Sequence, residues 1–145
     1  MGECEVFLDT SVIVAAYLSR RVRGVIEALG RHCELLYSAY YTVVDIDGSE
    51  LDEAVKAGTK RWAANNLKDA GYLSVAVESQ VFGRYGRWVK RIKKMDVAIA
   101  YLALEGDYIF ATGDWQQLLF YNSLYSSRNP KKLVKAMFIP VRWLG

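Results

Sequence analysis

Apolar residues fall along this chain in short solid runs and in helical spacings, with polar corners between them. Glu5-Val6-Phe7-Leu8 is such a run, and it stops at Asp9-Thr10-Ser11. A run this short and apolar predicts a buried strand. Val12-Ile13-Val14-Ala15-Ala16-Tyr17-Leu18 then predicts a helix, which Thr10 or Ser11 can cap. Ser19 to Arg23 is a basic turn into a second helix lasting to about Arg31, and Glu34 to Ser38 predicts a second strand. Tyr40 to Asp47 is ambiguous between helix and strand, and Gly48 breaks it. Ser49 with Asp52 resembles a capping box for a helix to about Asp69, its inner face supplied by Leu51, Val55, Trp62 and Leu67. Tyr72 to Glu78 alternates loosely, as a short strand or an extended connection. The sharpest pattern follows: a helix from Asp96, a Glu105-Gly106-Asp107 turn, and a buried strand ending before Asp114. Trp115 to Leu119 predicts a short helix, Ser126 to Pro130 a loop, and Ala136 to Pro140 a last strand. One α/β domain over residues 1–145 accommodates every segment.

Composition narrows the chemistry. At 145 residues with 52% apolar and 24% charged positions, the chain is long enough for one ordered core. No apolar run reaches the ~20 residues of a membrane span. The first residues, Met1-Gly2-Glu3-Cys4-Glu5, lack the basic region of a secretory signal, so a cytoplasmic protein is expected. A formal charge of +3 permits an anionic partner without requiring one. Cys4 and Cys33 are too few for a zinc knuckle and too far apart for a redox Cys-x-x-Cys pair. With His32 the only histidine, the chemistry must run on carboxylates.

Asp9 and Asp114 each follow a strand, and Asp96 opens a helix. In a parallel sheet all three converge at the carboxyl edge, where ligands of α/β folds sit. Close carboxylates repel one another unless something binds between them, and hard oxygen ligands suit Mg²⁺ or Mn²⁺. Asp9 as a plain helix cap is the bland alternative. Most of Asp45, Asp47, Glu50, Asp52 and Glu53 are helix-end and surface charges, leaving one or two for such a site. Gly83 to Lys94 is the most basic stretch. If helical, it puts Arg84, Arg87, Arg91 and Lys94 on one face, with Tyr85 and Trp88 nearby. Cations interleaved with aromatics suit a nucleic-acid backbone and unstacked bases, and a solvated helix face is the alternative.

At these residues the chain resembles the PIN-domain nucleases, notably the single-domain toxins of prokaryotic toxin–antitoxin pairs. Phe7-Leu8-Asp9-Thr10-Ser11-Val12-Ile13 looks like the family's opening strand motif. Met95-Asp96-Val97-Ala98-Ile99-Ala100 looks like its third acidic motif, and Phe110-Ala111-Thr112-Gly113-Asp114 like its fourth. For the second acid, usually glutamate, Asp45 is the best match and Glu50 the fallback. Gln116 stands where many members carry a further acid. The resemblance implies a three-layer α/β/α sandwich around a mostly parallel sheet. It also implies Mg²⁺- or Mn²⁺-dependent endoribonuclease activity, a homodimer, and often a small antitoxin partner. Asp9, Asp96 and Asp114 would hold the metal, Asp45 would act as ligand or water orienter, and Ser11 and Thr112 would brace the carboxylates. The hydroxyls equally suit capping and turn-making.

The family's sheet also makes the first two strands neighbours, so Cys4 and Cys33 would start them at one level. A disulfide is then conceivable, which would hint at a hyperthermophilic source, and two buried free thiols are the alternative. Three other functions compete. A degenerate domain of this kind could bind RNA or protein without cutting. A haloacid-dehalogenase-type phosphatase needs a second aspartate where Ser11 stands. Nucleases that process ribosomal RNA often carry a zinc ribbon that two cysteines cannot build.

Overall fold

The short apolar runs become the middle of a sheet. The computed structural model describes residues 3–141. The chain runs β1 (Cys4–Leu8), α1 (Thr10–Leu18), α2 (Arg20–Gly30), β2 (Cys33–Tyr37), α3 (Ala39–Asp47), α4 (Glu53–Asn66) and β3 (Lys68–Asp69). It continues through α5 (Val75–Arg84), α6 (Gly86–Arg91), α7 (Lys94–Glu105), β4 (Ile109–Thr112), α8 (Trp115–Arg128) and β5 (Ala136–Phe138). The strands form one all-parallel sheet in the order β3-β2-β1-β4-β5. Side chains alternate across it with the two-residue period of a strand. Val6, Leu8, Cys33, Tyr37 and Ala111 pack with α1, α2 and Ala63 of α4. Phe7, Leu36 and Phe110 pack with α3, α5, α7 and α8. The result is a three-layer α/β/α sandwich. Among the described residues no helix is long and apolar enough to cross a membrane.

The helix that carries Asp96 is the most deeply seated. In α7, Val97 to Ala100 and Ala103 are fully buried, and Tyr101 and Leu104 nearly so. Such all-round apolarity suits a helix enclosed on every side. It touches α3, α5, α6, α8 and β4. Its first turn therefore holds Asp96 at the rim of the core.

Several boundaries differ from expectation. Tyr40 to Asp47 resolves as helix because the Ser38 hydroxyl accepts from the Tyr41 amide at 3.2 Å. Asp52 rather than Ser49 caps α4, accepting from the Val55 amide, while the Ser49 hydroxyl donates to the Ile46 carbonyl at the end of α3. The inner face of α4 is Lys56, Gly58, Thr59 and Ala63, and a Cβ on Gly58 would overlap the Tyr17 ring. No strand forms over Tyr72 to Glu78. Ser74 caps α5 there, and the Tyr41 hydroxyl, donating to Glu78 at 2.6 Å, ties α5 to α3. The basic turn after Ser19 is already the first turn of α2. The helix opened by Trp115 lasts to Arg128, through part of the expected loop. The basic stretch is not one helix. It spans the end of α5, all of α6 and the start of α7, with breaks at Tyr85 and at Ile92-Lys93. Arg84, Arg87, Arg91 and Lys94 therefore share no single helix face.

Cys4 and Cys33 stand in register on neighbouring strands, with Cα atoms 4.5 Å apart, and form a disulfide. The alternative of two free thiols is thereby corrected. The bridge closes a loop with a sequence separation of 29. Closing a loop of that length removes enough unfolded-chain entropy to contribute about 3–4 kcal/mol. Urea unfolding of the Cys4→Ser/Cys33→Ser variant should show a loss of about that size. Alkylation of the denatured, unreduced wild type should label neither thiol.

Candidate functional site

The sheet order reverses direction between β1 and β4. The connection after β1 leads to α1 on one face, and the one after β4 leads to α8 on the other. The diverging chains leave a crevice at the carboxyl edge, the usual ligand position in such sheets. Asp9 and Asp114 flank it, each as the N-cap of the helix that follows. Asp45 reaches it from α3 and Asp96 from the first turn of α7. All four line a cleft of about 220 Å³. Glu50, the alternative second acid, is exposed and does not line it.

Asp9 is held by a compact network. The Thr10 amide donates to its Oδ1 at 3.0 Å. The Thr112 hydroxyl donates to Oδ2 at 2.7 Å, and the Ser11 hydroxyl to the same atom at 3.2 Å. Ser11 and Thr112 are also tied to the β4 corner, accepting from the amides of Gly113 and Asp114 at 3.0 and 3.1 Å. Both hydroxyls thus link the Asp9 carboxylate to the β4 corner. Asp114 accepts from the Gln116 and Gln117 amides through Oδ1.

Burial and repulsion set the charge state. Loss of solvation pushes Asp9 up to about 6, against the hydrogen bonds from Thr112 and Ser11 and with the charges of Asp45 and Asp114 adding to the rise. Burial likewise pushes Asp96 up to about 8, helped by Asp9, Asp45 and Asp114 and opposed by Lys93. The mutual influence of these carboxylates places them in one electrostatic field.

Two contributors carried little sequence signal. Gln117 is fully buried, and its side-chain amide donates to the Asp96 carbonyl at 2.8 Å, joining the first turns of α7 and α8. An isolated glutamine in a helix gives no hint of that. Lys93 lines the cleft beside Asp96 but falls outside the spacing that selected Arg84, Arg87, Arg91 and Lys94. Those four are all exposed; Arg91 lies over the Trp88 ring and Lys94 over Phe82.

The donor set is oxygen only, which fits a hard divalent cation. Thr10, also in the cleft wall, has a buried hydroxyl without a hydrogen-bond partner among the described residues. Among the described residues, no three acidic, histidine or cysteine side chains stand within joint reach of one ion. The carboxylates therefore line the walls without meeting at a point. Neither protein-family models nor curated protein sequences contain a match to this chain.

The raised carboxyls give stability a definite pH dependence. Folding strengthens proton binding at Asp96, so the metal-free fold loses stability as pH climbs from 3.8 through about 8. Asp96→Asn removes that share. In EDTA near ~pH 9 the variant should exceed the wild type by about 1–3 kcal/mol, and the two should converge near ~pH 4. Thermal melts across that range check the sign.

Proposed function

We propose that this chain is a Mg²⁺- or Mn²⁺-dependent endoribonuclease of the PIN-domain kind. The observation that carries the reading is the convergence of Asp9, Asp45, Asp96 and Asp114, from four separate elements, on one cleft at the sheet's switch point. One or two of Asp9, Asp96 and Asp114 would hold the cation directly and the others through its waters, and Asp45 would join them or orient the attacking water. A cation bound there supplies a more acidic water and neutralises charge on the leaving oxygen. Thr112 and Ser11 keep the Asp9 carboxylate in one orientation. Lys93 and the cations of α6 would hold the phosphodiester. In this reading the protein is a cytoplasmic toxin, homodimeric and restrained by a small antitoxin.

Mn²⁺-dependent cleavage of a structured RNA pool tests the proposal. The wild type should cut, while Asp96→Ala and an EDTA-treated sample should both fall to background. Thr112→Val should lose about 10–100-fold in activity by freeing Asp9. A folded wild type, free of co-purified inhibitor, that cuts no RNA would sink the enzyme reading.

A binding module without catalysis is the second reading. It is favoured by the separation of the acids along the cleft walls and by Gln116 at a position where many PIN-domain nucleases carry a further acid. It requires Asp96→Ala to bind RNA as the wild type does, with cleavage absent from both.

A further inference from the structure

Four aromatic rings stand in solvent along the carboxyl edge of the sheet. Tyr40 is 55% exposed and Tyr72 66%, with ring centroids 5.3 Å apart. Tyr40 lies in the first turn of α3, just past β2, and Tyr72 follows β3, so this pair caps the β2–β3 side. Trp115 is 58% exposed and Phe138 38%, and their rings meet edge to face at 5.4 Å. Trp115 opens α8 directly after Asp114, and Phe138 ends β5 in register with Thr112. β1, with Asp9 at its end, runs between the two pairs. At about 4.8 Å per strand, the strand ends that carry the two pairs lie about 14 Å apart.

Exposed rings alone would suit a protein partner equally well. The charges on the segment that leads into the cleft decide the matter. Arg84, Arg87, Lys90, Arg91, Lys93 and Lys94 are all exposed, and among the described residues none forms an ion pair. The segment that carries these cations enters the cleft at Lys93. A ligand that satisfies both features carries regular negative charge and free planar faces. An unpaired nucleic-acid strand has both, because its bases can stack on aromatic side chains while its backbone meets the cations. In a duplex the bases are stacked on one another and the rings would stay bare.

We propose that Tyr40–Tyr72 and Trp115–Phe138 are base-stacking sites on either side of the cleft, selecting unpaired RNA and laying a phosphodiester between them over the carboxylates. The stacking sites stand on the exposed rings and the exposed cations that lead into the cleft; the chemistry at the centre rests on the nuclease reading above.

Anisotropy of a short labelled oligouridine, measured in EDTA to exclude cleavage, tests this for wild type, Trp115→Ala, Trp115→Phe and Tyr72→Ala. Each alanine variant should bind roughly 5- to 100-fold more weakly, and Trp115→Phe should stay within a few-fold of wild type. The salt slope should not change, since no phosphate contact is lost. An abasic oligonucleotide should erase the difference between wild type and Trp115→Ala, and a duplex competitor should displace the probe poorly. Wild-type affinity in both alanine variants would overturn the stacking sites while leaving the nuclease reading intact. So would a Trp115→Ala protein that loses a wild-type oligomer in sedimentation but keeps its RNA affinity, which would assign the surface to a second copy. Ring-dependent binding without Mn²⁺-dependent cleavage would uphold the stacking sites and remove the nuclease.

Discussion

Parallel pairing of β1 with β4 sets Phe7 beside Phe110 and Leu8 beside Ala111, and most of the molecule is arranged by that contact. It joins segments separated by about a hundred residues, and the chain between them supplies β2, β3 and helices on both faces of the sheet. It brings the corner after β1 against the corner after β4, where the Thr112 hydroxyl reaches Asp9. It also separates α1 from α8 on opposite faces. A crevice at that point is a geometric result of the topology, before any side-chain chemistry is considered.

The carboxylates then occupy that crevice at an energetic disadvantage. Two of them are buried, and like charges surround them. Nothing in the packing of α7 requires an acid in its first turn. Local strain of this sort is typical of sites that bind or react, because a fold selected for stability alone would neutralise it. The hydrogen bonds to Asp9 and the Gln117 link to the start of α7 keep the arrangement from relaxing outward.

What the sequence revealed follows from how each residue is placed. Asp9 and Asp114 were legible because each is pinned to the end of an apolar run, and a strand end is a fixed address. Asp96 was legible because the residues after it are apolar on every side. β3 was illegible, since Lys68 and Asp69 are both exposed and show no alternation. α5 was obscured because Leu73, Val75 and Val77 alternate as in a strand, and Val75 itself is 85% exposed. The basic face failed for another reason. Spacing can align Arg84, Arg87, Arg91 and Lys94 only if the helix is continuous, and neither break contains a proline to announce it. Gln117 and the exposed ring pairs depend on tertiary contacts that no local pattern encodes.

The disulfide lies at the opposite edge of the sheet from the cleft, and this has a mechanical meaning. β1 is tethered covalently to β2 at its first residue and clasped through Asp9 to the β4 corner at its end. Fraying must therefore begin at the periphery, where β3 offers two residues and β5 three. The sheet should open from its margins toward its centre, and the carboxylate cleft, built on the last strand to let go, would keep its shape in a partly unravelled molecule.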